Sequence, residues 1–475
     1  MPRSLFLSTA VLSLLAGCAA VPDLGPKPLP AAAETFESRQ SFADAAGEWP
    51  AEGWWQAWGD AQLDALIAEG LANAPDVAIA AARARTADAL AQQAGAALGP
   101  RVGVEAGAGG VQQSKNMGIP PQFVPDGIQD TGHIAATFAF DLDLWGRNRA
   151  ALAAATSEAE AARVDAAQAR LMLTTGIAAA YADLAGQYEA LDVALDAARI
   201  RMASAELAAG RTRAGLDNRA SERQAESRSA GARADIVALE EAIALTRHRI
   251  AALLGAGPDR GLTIARPTLR APATGLPAEA GIGLIGRRPD IVAARLRSEA
   301  AGRRIDVARA DFYPNISLSA LVGLQSLGLS NLFDKGSDYG NGGVALSLPI
   351  FDSGRLRGRY RGARADYDLA VATYDRTLVA ALRDVADAVA SRSANMRQLA
   401  ERRAALTATE EAAKLAGLRY RAGLSNQIVA LTAEDGMVAL ARAVAELEAR
   451  QRALDVALIR ALGGGYTAQT STGDL

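Results

Sequence analysis

Few residues in this chain have the types and spacing that catalysis needs. Gly281-Ile282-Gly283-Leu284-Ile285-Gly286 spells G-x-G-x-x-G. In a dinucleotide site that pattern follows a strand, opens a helix and sets a pyrophosphate on the helix N-terminus. Here Pro267, Pro272 and Pro277 precede it and Arg287-Arg288-Pro289 interrupts any helix it would open, so the fingerprint lacks its setting. With only His133 and His248, a His-rich zinc centre is excluded, and a Ser-His-Asp triad would have to use one of the two. His133 begins a strand-like alternation and His248 lies in a long helical pattern, so both read as structural or solvent-facing. The carboxylates are scattered at helical spacing with arginines nearby, as on solvated coiled-coil faces. No catalytic residue, metal or cofactor is expected, and the chain does not read as an enzyme.

Cys18 is the only cysteine, which rules out an intrachain disulfide or a cysteine metal cluster. Its setting points to a different chemistry. Arg3 is followed by the apolar run from Leu5 to Ala16, too short to span a membrane and suited to a secretory signal. Leu15-Ala16-Gly17-Cys18 then matches the bacterial lipoprotein signal, in which the cysteine becomes the acylated, palmitate-bearing first residue. A chance cysteine beside a cleavage site is the alternative. Ala19 in place of Asp suits retention in the outer membrane. The expectation is a signal peptide over 1–17 and a lipidated tether over 18–48, rich in Pro and Ala and without periodicity.

The 475 residues carry 50 Lys+Arg against 53 Asp+Glu, so no basic surface for nucleic acid is implied. Aromatics make up only 5%, and the abundance of Ala, Leu and Arg favours long helices. No apolar run reaches the length of a spanning helix. A membrane crossing would therefore require strands closed into a barrel.

The elements recur. Pro75 and Pro289 are 214 residues apart, as are Pro100 and Pro314; Gly146 and Gly354, Gly215 and Gly423, and Gly255 and Gly463 are 208 apart. One step of six residues, between Pro100 and Gly146, separates the two offsets and implies a longer surface loop in the first copy. Each copy reads in the same order. A helix opens at Pro75-Asp76 or Pro289-Asp290, with proline and an acid where the helix start favours them. Two strands follow. Ile134, Ala136, Phe138, Phe140 and Leu142 alternate with polar positions that include His133, Thr137 and Asp141, while Ile316, Leu318, Ala320 and Val322 alternate with Asn315, Ser317 and Ser319. Val344, Leu346, Leu348 and Ile350 repeat the pattern, and residues 101–109 give a weaker version. Such strands suit a lipid-exposed barrel around water. A sheet covered by helices on one side would alternate too, but no further apolar layer is present to cover it.

Long helices come next, from Gly146 to about Arg213 and from Gly354 to about Arg421. In the second, the seam Leu356, Tyr360, Ala363, Tyr367, Ala370, Tyr374, Leu378, Ala381, Val385 and Ala388 advances 32 residues in nine steps, close to the pitch of a straight helix. At 1.5 Å per residue each such helix spans roughly 100 Å. Arg213-Ala214-Gly215-Leu216 and Arg421-Ala422-Gly423-Leu424 then stop the helices, with the glycines suited to left-handed caps, and a second helix returns. Four strands cannot close a barrel whose minimum is about eight. The strands must be shared between chains, two chains giving eight and three giving twelve.

The stretches "GWWQAWGDAQLDALIAEGLANAPD", "FDLDLWGRNR", "GRRPDIVAARLRSEAAGRRIDVARADFYPNISL", "PIFDSGR" and "RYRAGLSN" resemble, in order over residues 50–466, the TolC-like outer-membrane factors. The resemblance is greatest to the NodT-type lipoproteins of resistance-nodulation-division (RND) efflux systems. It implies a mainly α chain with membrane β, in which a homotrimeric 12-stranded β-barrel with four strands per chain continues into a long α-helical coiled-coil barrel. Two outer-membrane efflux repeats, 49–260 and 287–466, would flank a linker at 261–286, with a C-terminal tail at 467–475. The implied function is the exit duct of a tripartite pump that passes drugs or other toxic small molecules outward. Its partners would be a periplasmic adaptor, an inner-membrane RND-type pump and outer-membrane lipid.

By the same resemblance the two RAGL turns are tips that meet the adaptor, although helix-stopping alone would also account for them. A periplasmic gate is implied near Ile428, Thr432, Glu434 and Asp435; the acids could instead lie on an exposed face. The alternatives are a duct for heavy-metal or type I protein secretion, disfavoured for soft metals by six unclustered methionines, or a lipid-anchored coiled-coil protein without a pore.

Overall fold

The duplication governs the fold. The computed structural model describes residues 21–38, 40–42, 47–270, 275, 277, 280–350 and 353–468. Cys18 and the signal segment lie outside them, as does most of the C-terminal tail. The first copy comprises α1 (Ala61–Asn73), α2 (Pro75–Ala96), β1 (Arg101–Val111), β2 (Gln129–Leu142), α3 (Arg147–Arg213) and α4 (Arg219–Leu253). After the short α5 (Pro258–Leu262), the second comprises α6 (Ala280–Arg287), α7 (Pro289–Ala310), β3 (Asn315–Leu327), β4 (Asp338–Ser347), α8 (Ser353–Arg421) and α9 (Gln427–Ala461). The six-residue step falls within the strand pairs, whose connecting loops are residues 112–128 and 328–337. The glycines of the would-be nucleotide fingerprint lie in α6, where Gly283 leaves room for the Trp49 ring that a Cβ would strike. Gly146 takes a positive φ of 73° before α3, whereas its sequence counterpart Gly354 lies inside α8.

The chain forms two units. The first takes in Arg85–Ala161 and Arg295–Thr373 and contains an antiparallel sheet in the order β1-β2-β3-β4. Its register aligns Val104, Ala136, Val322 and Gly340 across all four strands, and Val102, Phe138, Ala320 and Gly342 two residues on. The alternation seen in the sequence is thereby stacked into one continuous apolar face. On the helix side of this sheet, Ala301, Ile305, Tyr367 and Val371 form a small core. Asp311 receives Arg147 at 2.8 Å and Arg359 at 3.5 Å.

The second unit takes in Ala31–Ala84, Ala162–Ala294 and the chain from Tyr374 onward. One core gathers Trp58, Leu66, Ile67, Ile177, Tyr181 and Ile250. Each such side chain contributes on the order of 1.5–3 kcal/mol through burial. A second core gathers Leu284, Ile291, Tyr374, Leu378, Ala381 and Val385 with Leu458 and Leu462. The predicted α8 seam is buried or half-buried along its whole length. Asp60 caps α1 and accepts from Gln62 N–H, Thr268 N–H and Tyr181 O–H at 2.7–2.9 Å. Burial alone would raise the Asp60 carboxyl, but these hydrogen bonds outweigh it and hold it below the usual carboxylate range.

The proline-rich N-terminal segment is extended, and it is bound rather than free. Tyr367 O–H donates to the Pro28 carbonyl at 2.9 Å and Arg364 donates to the carbonyls of Gly25 and Pro26. Ala31 N–H donates to Asp375 at 2.9 Å.

Candidate functional site: sheet faces, sheet edges and hairpin tips

Among the described residues, the apolar face of the sheet is bare over most of its length, with Leu329 and Leu332 reaching it only at Gly132. Val102, Val104, Val322, Val344 and Leu346 are each about 70% exposed. The opposite face carries Arg101, Glu105, His133, Thr137, Asp141, Ser319 and Gln325, with Arg101 and Asp141 paired at 3.3 Å. The outer edges of β1 and β4 have no strand partner among the described residues. Every connection to a helix leaves from one end of the sheet, and both strand loops lie at the other. Near the helix end, Trp145 stacks on Tyr313 at 4.7 Å and donates to the Pro314 carbonyl at 2.8 Å. Aromatic rings of this kind mark the interfacial girdle of membrane barrels.

The two RAGL stretches end α3 and α8 as Schellman motifs. Leu216 N–H reaches the Arg211 carbonyl and Leu424 N–H the Arg419 carbonyl, both at 2.9 Å, with Gly215 and Gly423 at φ of 71° and 73°. Arg213 and Arg421 are the last helical residues, Ala214 and Ala422 follow them, and Leu216 and Leu424 project at 66% and 72% exposure. The asparagine ending each RAGLxN stretch has a job that sequence reading overlooked. Asn218 accepts from Ser221 N–H at 2.9 Å and Asn426 from Val429 N–H at 3.1 Å, so each caps the returning helix. One hexapeptide therefore both stops a helix and starts the next.

Of the four sequence-predicted gate residues, Glu434 and Asp435 are engaged in side-chain contacts between helices, while Ile428 and Thr432 are not. Asp435 binds Arg201 of α3 at 3.1 Å and Arg228 of α4 at 3.0 Å. Glu434 accepts from the Ser204 hydroxyl at 2.9 Å. Burial pushes the Glu434 carboxyl up and Asp435 adds to the rise, against the lowering effect of Ser204, Arg201 and Arg228. Thr432 turns back to the Ile428 carbonyl at 2.7 Å, and Ile428 is 58% exposed. Beyond this cluster Arg442 meets Asp235 of α4 at 2.5 Å, and Arg452 meets Glu189 of α3. The second-copy helix α9 is thus tied to both first-copy helices by reciprocal charges. Tyr420 adds a tie, with its ring under Arg211 and its hydroxyl 3.3 Å from Asp217.

Arg201, Ser204 and Arg228 were not foreseen, yet the duplication holds a signal for them. At the 208-residue offset their counterparts are Thr409, Ala412 and Gly436, and that of Asp435 is Ser227. These polar groups occur in one copy only. Ser204, Glu434 and the buried Gln427, whose amide has no partner among the described residues, line a cleft of about 280 Å³ beside the tips.

An edge-open sheet with one lipophilic face, two hairpins with glycine tips and a complete internal duplication together point to an outer-membrane channel protein. Residues 66–256 and 284–464 match the family described as outer membrane efflux protein, and the chain belongs to it. It is therefore the outer-membrane component of an efflux pump, a transport channel and not an enzyme. Among curated relatives, the multidrug resistance outer membrane protein MdtP of Escherichia coli K12 is 32% identical over 96% of this chain and 95% of its own. The fusaric acid resistance protein FusA of Burkholderia cepacia is 38% identical over 75% of this chain and 68% of its own. Among solved structures, the outer membrane protein VceC of Vibrio cholerae superposes with a TM-score of 0.84 at 40% identity, covering 88% of this chain and all of that one.

Proposed function

We propose that three copies close the sheet into a 12-stranded barrel that continues into a helical tunnel, forming the exit duct of a tripartite RND-type pump for toxic small organic molecules. The observation that carries this reading is the pair of unpaired edges, β1 and β4, on a sheet whose apolar face is bare. An open edge in lipid leaves backbone groups unsatisfied at several kcal/mol each, so neighbouring copies must complete it. The names of relatives linked to fusaric acid, toluene and multidrug resistance support small organic cargo over metal ions.

In this reading lipid on Cys18 holds the N-terminal strap to the membrane, and residues 49–260 and 287–466 form the two repeats about the 261–286 linker. The tips Arg213–Leu216 and Arg421–Leu424 meet the periplasmic adaptor, and the start of α9, with Ile428 and Thr432 beside the Glu434 and Asp435 contacts, sets whether the tunnel end is open. The test is the mass and shape of the solubilised, lipidated protein by light scattering and negative-stain microscopy. A trimeric tube with a helical section of about 100 Å is expected. A monomer or a filled rod would overturn the duct.

A further inference from the structure

One charge pattern remains unexplained by the duct. α1, α2, α4 and α7 each carry an acid in the first turn, as the helix dipole favours: Asp64, Asp76, Glu222 and Asp290. The two helices that leave the sheet do the opposite. α3 opens with Arg147 and Arg149, and α8 carries Arg355, Arg357, Arg359, Arg361 and Arg364 before its first acid, Asp366. At α3 the charge is answered within the fold, since Asp143 accepts from the Asn148 and Arg149 N–H groups and Asp311 pairs with Arg147. The arginine row of α8 at the sheet end is answered only in part, which suggests a partner that supplies negative charge.

Geometry selects two of these arginines. Arg359 is held by Asp311 and Arg149 by Asp143. Arg357 and Arg361 are exposed and have no acidic partner among the described residues. They stand at i and i+4, with Arg364 at i+7 on the same face. Arg364 holds the strap at Gly25 and Pro26. The strap leads toward Cys18, and lipid there must enter the bilayer from outside the tube. The arginine face is therefore the outer face. From Gly25 to Cys18 is seven residues, a reach of at most about 25 Å, while Arg364 lies about 16 Å from the start of α8. Arg357 and Arg361 lie closer still, about 6 and 12 Å along the helix. Helical side chains slant toward the helix N-terminus, here toward the sheet. Both guanidiniums thus aim into the roughly 5–7 Å headgroup layer that adjoins the hydrocarbon.

We propose that Arg357 and Arg361 form an outward collar that binds the phosphate headgroups of anionic phospholipid in the periplasm-facing leaflet. This proposal rests on the lipid-anchored duct reading and adds a ligand class to it. Paired guanidiniums suit bidentate contact with phosphate oxygens. The strap and the collar then act at the same depth, one by acyl insertion and the other by charge.

The test is native mass spectrometry of the full, lipidated protein in detergent. Phosphatidylglycerol and phosphatidylethanolamine of equal chain length are offered in turn. Wild type is expected to retain phosphatidylglycerol preferentially, and the double variant Arg357→Gln/Arg361→Gln to lose roughly thirtyfold in that preference, the equivalent of about 1 kcal/mol per arginine. The collar is overturned by equal retention of the two lipids, by a preference unchanged in the variant, or by displacement with millimolar inorganic phosphate, which would mark a free-anion site. Loss of the oligomer in the variant would also overturn it, since the arginines would then serve contacts between chains. The same spectra report subunit number and acylation of Cys18. Failure of the duct reading would therefore show separately, as a monomer or an unacylated chain.

Discussion

Replacing Asp435 with Asn is the most direct probe of the tip cluster. The side chain keeps its size but loses the charge that draws Arg201 and Arg228 onto α9 at 3.1 and 3.0 Å. Hydrogen bonds to charged groups contribute about 1.5–3 kcal/mol when protected. Asp435 is 36% exposed, so screening reduces each contact to about 1 kcal/mol or slightly more. On the proposed gate, losing both costs the resting arrangement ~2–3 kcal/mol, a roughly 30- to 150-fold rise in the open-to-closed ratio. The assay is single-channel recording in planar bilayers, with the subunit mass checked in parallel. Because Arg201 and Asp435 share a contact, Arg201→Gln and Asp435→Asn should be strongly non-additive in a double-mutant cycle. An Asp435→Asn channel that assembles normally and opens as seldom as wild type would refute the reasoning. So would two effects that simply add.

Three further outcomes follow from the same geometry. Gly423→Val forces a β-branched residue to φ near 73°, at a cost of at least about 1–2 kcal/mol; amide exchange at Ala422–Leu424 should accelerate and adaptor binding should weaken, and an unchanged exchange rate would count against the cap. Cys18→Ser should remove the acyl mass from the intact protein and lower its recovery with outer membranes, while an unchanged mass would remove the anchor. Glu434 titrates above the ordinary carboxylate range because it is buried, so its protonated form suits the resting cluster. That contribution is lost as pH rises through the raised value and regained as pH falls back through it. On the proposed gate, open probability should therefore drop as the pH is lowered in wild type and stay flat in Glu434→Gln; a slope that survives in the variant places the titrating group elsewhere.

Local physics was legible in the sequence where it repeats. The α8 seam from Leu356 to Ala388 is buried or half-buried as its spacing required, and the tip glycines adopt the left-handed conformation that a helix stop needs. Strand existence was legible, but strand ends were not. β2 begins at Gln129, four residues before the alternation becomes visible, because Gly132 and Asp130 pair through the backbone whatever their side chains. The binding of the strap by Arg364 and Tyr367 could not be seen, since it joins residues more than 330 positions apart. Arg201 and Arg228 were hidden for the same reason. They look like ordinary solvated charges until Asp435 is folded against them, and only their absence from the other repeat distinguishes them.

The unpaired edges of β1 and β4 also constrain how the protein is made. A lone chain cannot enter the bilayer, because it would carry two rows of bare amides into hydrocarbon, and it cannot safely wait in water, because the same edges template aggregation. If neighbouring copies complete the sheet as proposed, membrane insertion and subunit association are one event rather than two. On that proposal, edges that wait for neighbours are exposed to aggregation, so the yield of assembled protein will depend on synthesis rate more steeply than that of a barrel closed by a single chain.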